Sequence, residues 1–286
     1  MKNFSIIGAG QVGKALALAL TKKGYKLKVV SDSNFSRARR VIKVAGQGKA
    51  TTDNRLTVKP ADLIFICVPD DALSGVITEI SKQDFQKKIV FHTSGACSSS
   101  LLEPLARKGA ITASFHPIQT FAGGAIEPEI FKGIFIGLEG QTAALKAAKQ
   151  LARKLGAQIL LIGAEEKPIY HLACSIASNF LVVIILEVKE LLKSLGLEEK
   201  AALEILCPLL NKTLQNVKKI GIEPSLTGPV VRGDLKTVKK HLTITGSNRE
   251  LDNIYRSLAL EALKVARKRG LTEDKIRALR QLLEQK

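Results

Sequence analysis

Lys167, His171, Ser175 and Asn179 recur at every fourth position, with Leu172, Ala173, Ile176, Ala177 and Phe180 between them. On an α-helix each step of four turns about 40° past a full circle, so neighbours in this series share one face. Polar groups flanked by apolar ones are costly to bury unless each is satisfied or used. An amine and an imidazole are residue types that move protons, and a hydroxyl and an amide can orient the atom that receives one. The bland alternative is a solvated face, with Lys167 exposed near the helix start.

A glycine series near the start of the chain points to a ligand. Residues 4–7 read as a short buried strand, and Gly8, Gly10 and Gly13 follow at the G-x-G-x-x-G spacing around Ala9, Gln11 and Val12. Residues 14–20 then read as strong helix former. Gly8 permits a tight turn, Gly10 lets backbone N–H groups approach a pyrophosphate, and Gly13 lets the helix pack on the strand. The helix start adds unpaired N–H donors and partial positive charge. Strand, turn and helix in this order predict dinucleotide binding, against a glycine-rich turn that serves no ligand. A second strand over 26–30 ends in Ser31, Asp32 and Ser33, ~20 residues past the last glycine, where an adenosine ribose is read. Asp32 favours the ribose hydroxyls of NAD, whereas Ser31, Ser33, Arg37 and Arg39 favour the 2′-phosphate of NADP. NADP is the expected cofactor, with NAD possible.

These groups need elements to position them. Residues 61–70 form a continuous apolar run between an acidic start and a proline stop, as suits a parallel strand buried on both faces. Its C-terminal edge carries Val68, Pro69 and Asp70, where ligands of open α/β sheets bind. Residues 88–95 end in Thr93, Ser94 and Gly95, small and polar enough to line a nicotinamide pocket. Residues 112–117 bring His116 to a strand end, followed by Gln119. Strands over 134–139 and 158–162 flank a helix over 143–155. Past Gly163 the strand signal stops, and 165–195 read as one long helix with Pro168 in its first turn. Further helices are expected over 198–219, 235–242, 248–269 and 273–284, with Asp234 as a cap. Residues 221–233, holding Thr227 and Arg232, form an irregular stretch long enough to be functional. The fold class is therefore α/β: a doubly wound parallel-sheet domain over 1–162, then an all-helical C-terminal domain over 163–286.

Composition narrows the class. A chain of 286 residues that is 45% hydrophobic can bury a sizeable core. Its four cysteines lie far apart without a C-x-x-C pair, so free thiols in a reducing cytoplasm are expected and no metal site is. Three glycines and Gln11 interrupt the apolar run after Lys2, so it is not read as a signal peptide. No run approaches the ~18–20 apolar residues that a membrane span needs, and no membrane partner is expected. The net charge of +18 is shared by both halves, and only 5% of residues are aromatic. A nucleic-acid binder concentrates charge and interleaves aromatics, so no nucleic-acid partner is expected. The excess would draw in a small anionic substrate and cofactor phosphates.

Several segments together resemble one family. They are Gly8 to Gly13, 61–71, His92 to Gly95, Ser114 to Phe121, Tyr170 with His171, Ser178 with Asn179, Leu226 to Pro229, and Arg232 to Asp234. The chain resembles the Rossmann-like candidate NADP oxidoreductases that carry a helical C-terminal domain of unknown function. It is similar, more distantly, to ketopantoate reductases and β-hydroxyacid dehydrogenases. Those relatives set a catalytic Lys and an Asn four residues apart at the start of the first long interdomain helix. Lys167 fits the Lys, but His171 holds the Asn position and an Asn comes only at 179.

The resemblance implies hydride transfer between a nicotinamide and a carbonyl, imine or alcohol carbon. Reduction of a small 2-oxo acid, such as ketopantoate to pantoate, is its most concrete form. Lys167 or His171 would donate the proton, Asn179 or Ser175 would orient the carbonyl, and His116 could reach the substrate. Gln119 and Thr227 would line the substrate site, and Arg232 would grip a carboxylate bidentately. A homodimer is implied by resemblance alone. A reductase of another carbonyl, imine or hydroxy acid is one alternative, and a non-catalytic NADP-binding sensor or scaffold is another.

Overall fold

The computed structural model describes residues 2–124, Glu127 and 129–285. The chain divides into two compact units, Met1–Leu181 and Val182–Lys286.

The first unit is built on one eight-stranded sheet. Its strands are β1 (Asn3–Ile7), β2 (Lys26–Ser31), β3 (Lys49–Thr51), β4 (Leu63–Ile66), β5 (Ile89–His92), β6 (Ile111–Ile118), β7 (Phe135–Gly140) and β8 (Gln158–Leu161). They lie in the order β3-β2-β1-β4-β5-β6-β7-β8. Helices α1 (Gln11–Lys22), α2 (Phe35–Ala45), α3 (Asp70–Ile80), α4 (Glu103–Ala106) and α5 (Thr142–Lys154) alternate with the strands. The chain leaves β1 toward one edge and returns through β4 toward the other, so the ends of β1 and β4 form a topological switch point.

Continuous apolar runs become strands here because both sheet faces are covered. Phe4, Ile6, Phe65, Phe91 and Phe115 pack on one face with buried residues of α1 and α5. Ile7, Ile64, Ile66 and Val90 pack on the other with Leu73 and Ile77 of α3. The rings of Phe65, Phe91 and Phe115 touch one another with centroids 5.2–5.8 Å apart. Each such pair is worth about 0.5–1.5 kcal/mol beyond its buried area. They brace β4, β5 and β6, whose C-terminal ends carry the site.

Two expectations about the sheet are corrected. It is not wholly parallel: β7 runs antiparallel to β6, pairing Ser114 with Glu139 and His116 with Gly137. The described residues between β6 and β7 hold no helix, and a parallel return ordinarily needs a helical crossover. The three-residue β3 was not anticipated, because so short a strand leaves no period to read.

The long helix is continuous from Ala164 to Lys193 but not uniform. It comprises α6 (Lys167–Ser175), a π-helical segment Ile176–Phe180, and α7 (Leu181–Lys193). By length and composition it could cross a membrane, with mean hydropathy 2.1 over its best window. That corrects the expectation that no segment qualifies: an average over a window tolerates the polar residues that interrupt an apolar run. The apolar residues between the polar ones, which read as core by type, are also exposed, with Leu172 at 56%, Ile176 at 52% and Phe180 at 54%. Helical periodicity marks an apolar face without saying what covers it.

The second unit continues with α8 (Glu199–Ile220), α9 (Ile222–Ser225), α10 (Pro229–Arg232), α11 (Leu235–Thr245), α12 (Arg249–Lys268) and α13 (Glu273–Glu284). Val230, Val238, Leu242, Leu263, Leu279 and Leu283 form its core. Asp234 caps α11, accepting from the Thr237 N–H at 3.0 Å and the Thr237 hydroxyl at 2.7 Å. The stretch read as irregular contains the two single-turn helices α9 and α10.

Candidate functional site

The glycine turn closes between β1 and α1. Gly8 has φ +97°, and a Cβ there would meet the Cys67 carbonyl oxygen at 2.5 Å. At Gly13 a Cβ would meet the Gly8 carbonyl oxygen at 2.0 Å, so α1 sits against the turn only because Gly13 has no side chain. Gly10 is the first residue outside α1, and nothing lies within 4 Å of a Cβ built there. Gly8 and Gly13 thus take the turn and packing roles that the spacing predicted, and Gly10 leaves the open space that its role requires.

A cleft of about 760 Å³ opens from this turn along the switch point. Gly8, Gly10, Gln11 and Val12 line one end, and Asp32, Ser33 and Arg37 lie beside them. Val68, Pro69 and Asp70, following β4, and Thr93 and Ser94, following β5, line the middle. His116 and His171 line the far end, with Gly95 and Phe121. A second cavity of about 850 Å³, lined by Ala9, Lys14, Arg37, Arg40 and Lys43, adjoins the glycine turn. The fit to a dinucleotide is good on two counts: an open Gly10 at a helix start, and cations at the ribose end.

Two cofactor residues stand otherwise than expected, and a third, Gly13, keeps only its expected packing role. Ser31 is buried and its hydroxyl donates to Asn54 Oδ1 at 2.7 Å, so it shapes the strand end instead of lining the cleft. Gly13 packs and does not line. Asp32 lines the cleft, but its carboxylate already accepts from the Ala9 N–H and the Asn34 N–H, both at 2.8 Å. It therefore locks the glycine turn to β2, leaving less of it for ribose hydroxyls.

Lys167 is the chief correction. It is only 1% exposed and does not line the cleft. Its Nζ donates to Ser114 Oγ at 2.7 Å and to the Ser94 carbonyl at 3.2 Å. Burial lowers its pKa, and the Glu139 charge nearby works in the opposite sense. Glu139 is itself buried and accepts from the Ser99 N–H and hydroxyl, each at 2.6 Å. Lys167 is thus a buried amine held between β6 and the loop after β5, and not a solvated helix start.

His171 shares the Lys167 face, as the four-residue step predicts, and reaches the cleft. A Cβ on Gly95 would lie 2.5 Å from His171 Cδ2 and 2.8 Å from His116 Nε2. The two imidazoles converge only because residue 95 is glycine, and their ring centroids are 6.1 Å apart. Burial, then the charges of Lys167 and His171, lower the His116 pKa to about 4. His116 Nδ1 lies 2.6 Å from the Tyr170 hydroxyl, a contact that helical spacing alone gives no reason to expect.

The other substrate candidates of the first unit are not gathered there. Ser175 ends α6 and Asn179 lies in the π-helical segment; neither lines the cleft. The wider i→i+5 turn interrupts the four-residue series. Gln119 is exposed, its own Oε1 accepting from the Thr120 N–H at 2.8 Å. Thr227 and Arg232 are exposed residues of the second unit. Gly95 lines the cleft, as its Thr-Ser-Gly strand ending suggests, and so do Cys67, Asn54 and Phe121, which the sequence did not single out as site residues.

The fold and the cleft define an α/β protein of the Rossmann class. Residues 2–117 match the Rossmann-like domain, and residues 134–262 match DUF2520, a domain of unknown function. The chain joins these two domains, the combination that its motifs indicate. No curated protein matches it. Among solved structures it is similar to a candidate NADP oxidoreductase from Bacteroides fragilis, at 24% identity and TM-score 0.79 over 91% of this chain and 97% of that one. Protein TM1727 from Thermotoga maritima is 29% identical, with TM-score 0.71 over 93% of this chain and 99% of its own. A reductive aminase from Aspergillus terreus, solved with NADPH and ethyl-5-oxohexanoate, is 16% identical, with TM-score 0.64 over 99% and 93%.

Proposed function

We propose that the protein is an NADP-dependent oxidoreductase that reduces a small 2-oxo acid of the ketopantoate type. The observation that carries this reading is the convergence of His116 and His171 on Gly95, at the far end of a cleft that begins at the glycine turn. NADP is favoured over NAD because the Asp32 carboxylate is engaged by backbone N–H groups while Arg37, Arg40, Lys14 and Lys43 surround the adjoining cavity.

Gly8, Gly10 and the start of α1 would hold the pyrophosphate, and Val68, Pro69, Thr93 and Ser94 the nicotinamide riboside. When bound, the nicotinamide supplies a hydride to the substrate carbon. The oxygen on that carbon then needs a proton and a partner for its developing charge. His171, whose imidazole lines the cleft, donates the proton. Neutral His116 donates a hydrogen bond to the same oxygen. Lys167, enclosed by Ser94 and Ser114, ties α6 to β6 and the loop after β5, and burial together with its charge keeps His116 uncharged.

The same geometry serves a C=N bond, and the likeness to a reductive aminase favours that second reading. Steady-state oxidation of NADPH against ketopantoate, other 2-oxo acids and cyclic imines separates the two. Turnover of ketopantoate is expected; turnover of imines alone supports the second reading. Cofactor binding with no turnover of any member would leave the sensor or scaffold alternative standing. We also infer a homodimer that covers the apolar side of the long helix, where Leu172, Ile176, Phe180 and Leu186 are exposed. A monomer mass at micromolar concentration in sedimentation equilibrium would end that reading.

A further inference from the structure

We propose that Tyr170 is a positioning residue for His116: its phenol fixes the imidazole as the Nε2–H tautomer and turns that N–H toward the cleft. The proposal rests on the reductase reading for its purpose, though its geometry stands on the structure.

His116 and Gly137 are direct cross-strand partners in the antiparallel β6–β7 ladder. Side chains of opposed residues ordinarily lie ~4.5–5.5 Å apart at Cβ and would compete for the space beside His116. Gly137 has none, and the Tyr170 phenol takes that space. A Cβ on Gly137 would lie 2.6 Å from Tyr170 Oη and 3.1 Å from its Cζ. The two rings meet edge to face, with centroids 5.5 Å apart and planes at 89°. A missing side chain on β7 and a tyrosine on α6 thus act on one histidine of β6.

The direction of the 2.6 Å hydrogen bond sets the tautomer. Burial raises the Tyr170 pKa, so the phenol keeps its proton, while burial lowers that of His116, so the imidazole is neutral. Between these neutral groups the more acidic donor is the phenol O–H and the more basic acceptor is the imidazole nitrogen. The O–H therefore donates to Nδ1, and the single ring proton belongs to Nε2. Nε2 lies beside Gly95 at the cleft and has no hydrogen-bond partner among the described residues. Without the phenol, both tautomers become accessible, and one of them presents a bare acceptor to a substrate oxygen that needs a donor.

Nitrogen-15 spectra of the histidine side chains in the full chain test this directly, with and without NADPH. In the wild type, His116 Nδ1 is expected to appear as an unprotonated acceptor and Nε2 as protonated. In Tyr170→Phe the two nitrogens should average between tautomers, and kcat should fall about 10-fold with NADPH affinity unchanged, the loss expected for one neutral hydrogen bond. Gly137→Ala, whose methyl displaces the hydroxyl while leaving Tyr170 in place, should reproduce both changes and carries the test if Tyr170→Phe folds poorly. A wild-type His116 protonated at Nδ1, or a tautomer unchanged in both variants, overturns the proposal. Failure of the reductase reading shows separately, as a wild type that turns over no carbonyl or imine while its tautomer remains measurable.

Discussion

Lys167 Nζ lies 2.7 Å from Ser114 Oγ, joining the first turn of α6 to the middle of β6. The same amine reaches the Ser94 carbonyl beyond β5. Removing it takes a donor from each of those acceptors and a neighbouring charge from the buried Glu139. Lys167→Ala should therefore cost about 3 kcal/mol of stability in denaturant unfolding. His171→Ala should leave stability nearly unchanged yet slow NADPH oxidation about 100-fold, as for loss of a general acid. A stable but inactive Lys167→Ala would return the lysine to the role of proton donor.

Gly10 and Gly13 should fail differently. The Gly13→Ala methyl would lie 2.0 Å from the Gly8 carbonyl oxygen, and overpacking of this kind costs about 1–3 kcal/mol. The Gly10→Ala methyl meets nothing within 4 Å, at a backbone conformation open to alanine. Its thermal midpoint should barely move, whereas NADPH binding weakens because the methyl faces the cleft. Equal cofactor affinity in Gly10→Ala and the wild type would show that the pyrophosphate lies elsewhere.

Cofactor choice should depend on Arg37. Hydrogen bonds to charged groups are worth about 1.5–3 kcal/mol, so Arg37→Ala should weaken NADPH binding by roughly 10- to 100-fold. NADH, which lacks the 2′-phosphate, should bind equally well to both proteins. Fluorescence titrations with each cofactor at constant ionic strength decide the matter; parallel losses for NADPH and NADH would remove Arg37 from phosphate recognition.

Acid should destabilise the fold through two histidines. Burial first, then the Lys167 charge, hold His92 down to about 3 and His116 down to about 4, against an ordinary value of 6.5. Between pH 6.5 and 4 the unfolded chain therefore binds protons that the folded chain refuses, and stability falls as pH falls. Each histidine adds at most about 1.4 kcal/mol per pH unit to that slope. His116→Gln should flatten the decline in unfolding free energy measured from pH 7 to 5. An identical slope in the variant would mean that His116 is protonated in the folded state.

Much of this molecule is legible in its sequence because the relevant signals are local. The glycine spacing anticipates the turn, since the positive φ of Gly8 and the contacts of Gly13 arise within one strand–turn–helix unit. The apolar runs at 61–68 and 88–92 anticipate central strands, since burial on both faces leaves no alternation. The four-residue step correctly sets Lys167 and His171 on one face, and Asp234 announces itself as a cap.

Other features depend on neighbours remote in the chain. Nothing local says that Lys167 will be enclosed by Ser94 and Ser114, residues more than fifty positions away. The same holds for Ser31, which looks like a ribose ligand until Asn54 takes its hydroxyl. The strand direction of β7 is decided by pairing, and with it the opposition of Gly137 and His116 that admits Tyr170. Periodicity reports which side of a helix is polar, and the π-helical segment then breaks the period before Asn179. The sequence by itself determined a dinucleotide-type turn, the sheet that carries it and the helices that follow, because these arise from backbone conformation and the burial of contiguous residues. Only the tertiary structure decided which polar groups face the cleft, because hydrogen-bond partners and desolvation are set by groups that the chain brings together from afar.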